Sequence, residues 1–412
     1  MATPAVLNQR PGRLLNKGQT VLWTACCGVF FGFGSLFIST FGIFLKPVSE
    51  ALGWSRAEIS SGFTAAVLCV AIMSPWLGRM LDRVPARRIV LPCLVVYALG
   101  FASLSLLTRH WWHLLVIYLV MGVTGIPTTQ LGYARVVSAW FDQTRGRALA
   151  AVMAGSGIGF MVFPPLAQFF ISTYGWRAAY GILGALALIV PGPLIWLFLY
   201  EPVAQRTSGK PPGARSAPVR SFAFWGITGA LLLFSFATNG LNTHWAALLT
   251  DRGLTPGSAA AVLSVAGLAT LASKVLTGYL LDLCPAHRVA ATLLFCTAIG
   301  LVFVLTGGSL VVAYASAVLV GLGMGAESDA VPYLLTRYFG LDRFSELYGY
   351  TWTVYAIAGG LGPLLAGAVF DHTGSYRSAL LLFVGLVLAA SGLFASLPSY
   401  VATRTAGQMV RE

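Results

Sequence analysis

The stretch Gly78-Arg-Met-Leu-Asp82-Arg83-Val-Pro85-Ala-Arg87-Arg88 has a counterpart 200 residues later, Gly278-Tyr-Leu-Leu-Asp282-Leu-Cys-Pro285-Ala-His-Arg288. The Gly, Leu, Asp, Pro, Ala and final Arg coincide in step. Both stretches are polar, so the match is not the accidental likeness of two greasy segments. The register continues beyond them. Phe141, Arg145 and Pro165 meet Phe339, Arg343 and Pro363 at a shift of 198, and Arg177 meets Arg377 at a shift of 200. The chain reads as one design used twice.

Composition says in what solvent. Of 412 residues, 57% are hydrophobic and 9% charged, and the mean hydropathy is +0.79. Soluble domains carry about 25% charged residues, so this chain cannot cover a water-facing surface, and a lipid bilayer must be its partner. Cytosolic enzymes, secreted modules and disordered proteins are excluded. A span needs about 20 mainly apolar residues. Candidates lie at 20–45, 58–80, 89–107, 112–138, 148–172, 178–200, 223–249, 258–281, 289–307, 310–336, 346–370 and 378–398. The fold class expected is an all-α membrane protein of twelve transmembrane helices in two six-helix, pseudo-symmetric halves. Parallel repeats of this kind imply an axis along the membrane normal and a site between the halves.

The proline-rich interruption at 201–220 divides the spans six and six. The domain boundaries follow: a tail at 1–19, a bundle at 20–200, a linker at 201–220, a second bundle at 221–400 and a tail at 401–412. The first apolar run is too long for a signal-peptide core and reads as a retained span. The net charge of +13 is topological rather than a nucleic-acid footprint. With the amino terminus in the cytoplasm, eighteen Lys and Arg fall on the cytoplasmic side and six (Lys46, Arg56, Arg109, Arg177, Arg252, Arg377) outside. That excess puts both termini in the cytoplasm. The six cysteines show neither metal-ligand spacing nor a disulfide framework, and no cofactor is expected. A phosphate-binding G-x-x-x-x-G-K-[ST] loop is absent, as is any catalytic constellation, so the chain is not expected to be an enzyme.

At this point the chain resembles the major facilitator superfamily over essentially its whole length. The Gly78–Arg88 loop is similar to the signature G-x-x-x-D-R-x-G-R-K/R that follows the second helix in that family, with Pro85 in place of Gly. The resemblance implies alternating access by rocking halves, and a breakable charge clamp on the cytoplasmic face. Asp82, Arg83 and Arg88 would be its gating residues, and Asp282 and Arg288 their repeat counterparts. Phe41-Gly-Ile-Phe-Leu-Lys46-Pro with Gly53-Trp-Ser-Arg56, Trp140-Phe141 with Arg145-Gly146, and Tyr338-Phe-Gly340 with Tyr348-Gly349 resemble the bacterial monocarboxylate and oxalate/formate porter branch. In that branch an Arg four residues before the repeat Gly engages the substrate carboxylate. Lys274 matches it before Gly278, while Thr270 stands where the family has an acid.

Charges inside spans cost roughly 2.5–3.5 kcal/mol or more and face a cavity or a partner. Lys274 reads as the anchor for an anion, binding it as a point charge without the fork of an arginine; a structural pairing with Glu327 or a reach to the interface is the other reading. Glu327 and Asp329, two apart, point about 200° away from each other on a helix. Removal from water favours the neutral form of a carboxylate, which suits a group that takes up and releases a proton. Glu327 is the preferred candidate, and Asp329 is as readily an interhelical hydrogen-bond partner. His244 is either a packing residue or a proton carrier. Arg135 either meets the anion or reaches the interface. Gln130, Tyr133, Asn242, Trp352 and Tyr355 are cavity candidates.

The function expected is secondary, proton-coupled symport of small organic anions, monocarboxylates in the first place, by a monomer in a bacterial inner membrane. The alternative is the same fold used as a proton-antiporting exporter of drugs or other hydrophobic compounds. Neither reading involves nucleic acid.

Overall fold

The computed structural model describes residues 11–141, 145–201, 221–307, 309–339 and 344–398. Fourteen helical segments form among them: α1 Pro11–Phe30, α2 Ser39–Leu52, α3 Arg56–Arg83, α4 Ala86–Ser103, α5 Trp111–Gly125, α6 Gln130–Trp140, α7 Arg145–Ile189, α8 Pro191–Phe198, α9 Phe222–Asp251, α10 Pro256–Leu283, α11 Ala286–Thr306, α12 Leu310–Phe339, α13 Phe344–Thr373 and α14 Arg377–Ala395. No strand occurs among the described residues. With no water in hydrocarbon to satisfy amides and carbonyls, closing them within each segment is what allows a chain to span.

Eleven runs among the described residues are long and apolar enough to cross a membrane. One of them, Arg147–Phe198, has 52 residues. As a single helix it would be about 78 Å long, more than twice the hydrocarbon thickness. It breaks at Gly175, whose φ of 82° and ψ of 161° lie where residues with a Cβ are strained. The break returns the chain and makes two spans of one run, giving the twelve that the hydropathy implies. Large apolar side chains such as Ile72, Leu99, Val116, Phe169, Val275 and Val311 are exposed, as expected where lipid replaces water.

The 200-residue repeat is visible in how helices begin and end. α3 starts after Ser55, which accepts from the Glu58 amide while the Ser55 amide donates to the Glu58 carboxylate, a reciprocal cap. α10 starts after Thr255, whose hydroxyl accepts from the Ser258 amide. Each runs for 28 residues and stops before a proline, Pro85 or Pro285, that heads the next helix. Two long contacts join the helices before residue 202 to those after 220: α13 lies along α3, and α10 along α7. At the second crossing a Cβ on Gly267 would stand 2.9 Å from the backbone of Phe160 and Met161. Only glycine permits that approach.

Two spans are not plain helices. Gly32 is extended (φ −72°, ψ 173°) and a wide turn over Phe33–Ile38 follows. Across from it a tight turn over Ile126–Thr128 ends at extended Thr129, so α6 begins inside its span. The Phe33 amide freed by the first break donates to Thr128 Oγ1 at 3.0 Å.

Candidate functional site

Two polar clusters stand within the apolar bundle. The first lies where α10, α12 and α13 meet. α12 carries Glu327 and Asp329 on nearly opposite faces, as their spacing requires. Glu327 is only 7% exposed, and among the described residues it makes neither a hydrogen bond nor an ion pair. Asp329 is half-buried and accepts from Ser328 Oγ at 3.3 Å. Lys274 is half-buried on α10, near enough for its charge to act on both carboxylates, yet pairs directly with neither among the described residues. Tyr348 and Tyr355 from α13 lie within range of the Glu327 charge. Trp352 and Tyr355 stack with ring centres 5.1 Å apart and planes 16° apart, and Trp352 is 42% exposed. The Tyr355 carbonyl accepts from Ser235 Oγ at 2.8 Å, and Asn239 Nδ2 donates to Ser235 O at 3.0 Å. This is a cation, a buried bare carboxylate and an aromatic wall in one place: the means to take up an anion, a proton and an apolar body together.

The second cluster joins the two sets of helices across the Lys46 end of the bundle. Arg56, its side chain 9% exposed, places its guanidinium 2.7 Å from Asp251 Oδ2 and 3.7 Å from the centre of the Phe370 ring. The same group donates to Tyr376 Oη at 2.5 Å. Lys46 Nζ holds the other Asp251 oxygen at 2.8 Å. Asp371 accepts from the amides of Arg56 and Ala57, at 3.1 and 2.7 Å, at the amino terminus of α3 where an anion is favoured. Deeper in, His244 Nδ1 lies 3.0 Å from Tyr376 Oη, and Nε2 lies 2.9 Å from Pro363 O and 3.1 Å from Ser60 Oγ. Thr64 Oγ1 donates to Gly360 O at 2.5 Å.

The sequence-derived candidates distribute unevenly over these clusters. Lys274, Glu327, Asp329, Trp352 and Tyr355 come together in the first, and His244 belongs to the second. Asn242 is half-buried on α9, two residues from His244. Tyr133 is fully buried and packs on Gly28, its hydroxyl without a hydrogen bond, so in this arrangement it lines no open space. Gln130 is exposed as the first residue of α6. Among the gating candidates, Arg83, Arg88 and Arg288 are exposed at helix ends and form no ion pair among the described residues. The side chains of Asp82, Asp282 and Arg135 lie outside the described residues.

Sequence reasoning missed Asp251, Asp371 and Tyr376 altogether, and placed Lys46 and Arg56 only as external cations and parts of a branch motif, without partners. It also missed the start of α6 within a span, where a helix amino terminus offers partial positive charge. Pro127, inside that apolar run, was the available signal.

Comparison with known proteins adds the following. The sequence model of the Major Facilitator Superfamily matches residues 24–363 and 227–406. Monocarboxylate transporter 13 of Rattus norvegicus is 27% identical over 398 residues, covering 92% of this chain and 89% of that one. Monocarboxylate transporter 11 of Homo sapiens is 27% identical, covering 83% of this chain and 75% of that one. Among solved structures, the nucleoside transporter NupG superposes with a TM-score of 0.75 at 12% identity, covering 92% of this chain and 98% of that one.

Proposed function

Since the chain belongs to the Major Facilitator Superfamily and is therefore a multi-pass membrane transporter rather than an enzyme, we propose that it carries small organic anions, monocarboxylates in the first place, in symport with protons. The observation that carries this reading is a Lys274 charge within range of the buried Glu327 carboxylate, neither of them held in an ion pair among the described residues. Lys274 meets the substrate carboxylate. Glu327, and in a lesser role Asp329, takes the proton that keeps the loaded site near neutral, and His244 takes part in coupling. Trp352 and Tyr355, with Asn242 and Gln130 as further contacts, shape the apolar side of the site. The relatives named monocarboxylate transporters support the substrate class, and the exposed amino terminus of α6 at Gln130 supports an anion.

We further propose that residues 20–200 and 221–400 rock against each other about a monomer's central axis, with both termini cytoplasmic in a bacterial inner membrane. The cytoplasmic clamp is then Asp82, Arg83 and Arg88 with Asp282 and Arg288. On that orientation the Arg56 cluster seals the outside. The alternative, export of hydrophobic compounds by antiport, has no comparable observation in its favour, since a cation at the site does not suit cationic drugs.

The test is thermal stabilisation of purified protein by a panel of small carboxylates, run on wild type and Lys274→Ala. A ligand that binds only the folded state raises the midpoint with concentration. An acid that stabilises wild type but not the variant is the expected result. Equal stabilisation of both proteins by neutral or cationic compounds would sink the anchor and bring the exporter reading forward.

A further inference from the structure

With a neutral imidazole, the hydrogen bonds of the outer cluster have one consistent direction. Pro363 O can only accept, so His244 Nε2 carries a hydrogen. Tyr376 Oη accepts from the Arg56 guanidinium, which leaves its own hydrogen free to point at His244 Nδ1. The chain Arg56 to Tyr376 to His244 to Pro363 is thereby complete with a neutral imidazole. A second proton, on Nδ1, would require the Tyr376 hydroxyl to give up its donor role.

We propose that His244 is a proton site built into the outer seal, such that a proton on Nδ1 and the sealed arrangement exclude one another. A hydrogen on Nδ1 would face the Tyr376 hydroxyl, which would have to turn its own hydrogen away while still accepting from Arg56. Charge adds to the conflict. The groups around the ring are Arg56 from α3 and Lys46 from α2, against Asp251 from the end of α9 and Asp371 from α13, with the Tyr376 phenol between. Two cations already balance two carboxylates. Both carboxylates are engaged, Asp251 by Lys46 and Arg56, and Asp371 by the amides that begin α3. An imidazolium would be a third, uncompensated cation on a residue only 2% exposed. Every partner named lies across the boundary between the two sets of helices or completes a chain that does. The conflict is therefore relieved by parting them, and protons arriving from the outer side favour the open mouth. By linkage, the seal closes on a deprotonated His244.

The inference rests on the proposed orientation and proton coupling, and its test is independent of any substrate. Spin labels at Glu50→Cys and Gly257→Cys, exposed on opposite sides of the mouth, report the distance across it in a background with the native cysteines replaced. In wild type without substrate, the fraction with the long distance should rise as pH falls from 8.5 to 5.5. For one proton the open-to-sealed ratio changes by at most about tenfold per pH unit. His244→Gln retains a donor toward Pro363 but cannot be charged, and should stay sealed with no pH response. Should that variant fail to fold, Tyr376→Phe removes the hydroxyl that fills Nδ1 and should at least halve the response. A pH response in His244→Gln equal to that of wild type overturns the proposal, as does a wild-type mouth indifferent to pH. A His244-dependent response in a protein whose uptake carries no proton leaves this inference standing and removes the symport reading instead.

Discussion

Replacing Arg56 by glutamine should unlock the outer mouth, and the size of the effect can be worked from its contacts. The side chain contributes a charged hydrogen bond to Asp251 at 2.7 Å and a cation held 3.7 Å above the Phe370 ring. A charge-assisted bond is worth about 1.5–3 kcal/mol, and a desolvated cation–π contact about 0.5–2 kcal/mol. The losses are not compounded by a stranded charge, because Asp251 keeps Lys46 at 2.8 Å and Tyr376 keeps His244. All the partners lost sit on the far side of the boundary between the helices before 202 and after 220. The penalty therefore falls on the sealed arrangement alone, not on the folding of either set. About 3 kcal/mol moves the open-to-sealed ratio roughly 150-fold. The labelled pair across the mouth measures this directly. Arg56→Lys, which keeps the charge but not the planar fork, should fall between wild type and Arg56→Gln. If the distance distributions of Arg56→Gln and wild type superimpose, the reasoning that these contacts hold the seal is refuted.

Other expectations are simpler to state. Lys274→Arg should preserve the stabilisation that carboxylates confer on the wild type, whereas Lys274→Ala should lose it at every ligand concentration tried. Glu327→Gln removes an unsatisfied buried charge site and should raise the thermal midpoint at pH 8, by an amount equivalent to about 1–3 kcal/mol; a lowered midpoint would mean that the carboxylate has a stabilising partner. Proton movement accompanying uptake should also disappear in Glu327→Gln. Gly267→Val drives a side chain into the backbone of α7 and should cost about 1–3 kcal/mol in unfolding experiments in detergent. An unchanged midpoint would show that α10 and α7 separate freely at this crossing.

The parts of this molecule set by local chemistry were legible in the chain. Twelve spans follow from hydropathy once Gly175 is allowed to break the longest run, and the repeat announces itself in Asp82 and Asp282, each just ahead of a proline. Lys274 and Glu327 stand out in the sequence because charge in an apolar run is costly, and that cost is written in a single segment. The Arg56–Asp251 cluster was not legible. Arg56 meets residues 195 to 320 positions away, and nothing in a loop reading Gly-Trp-Ser-Arg says which distant carboxylate it will find. His244 was visible as a polar residue in a span, but its hydrogen-bond direction is decided by Tyr376 and Pro363, which one sequence does not bring together. Tyr133 shows the opposite failure. Its place among polar candidates on one span suggested an opening, and the close approach permitted by Gly28 buries it instead.

The repeat has a consequence for how such a lock can exist. Ser55 and Thr255 start their helices in the same register, yet the next residue is Arg56 in one half and Pro256 in the other. At the position equivalent to Asp251 the first half has Ala51, and none of Ile171, Ser172 and Thr173, which bracket the counterpart of Asp371, is acidic. The bolt belongs to one half and its catch to the other. A twofold pair of identical subunits would have to carry the arginine and its carboxylate on one self-complementary surface, with each pair occurring twice. Carrying both halves on one chain frees the two faces to become unlike, so that cation and carboxylate need not share a surface. Covalent linkage here is a licence for asymmetry in a body whose architecture is otherwise symmetric.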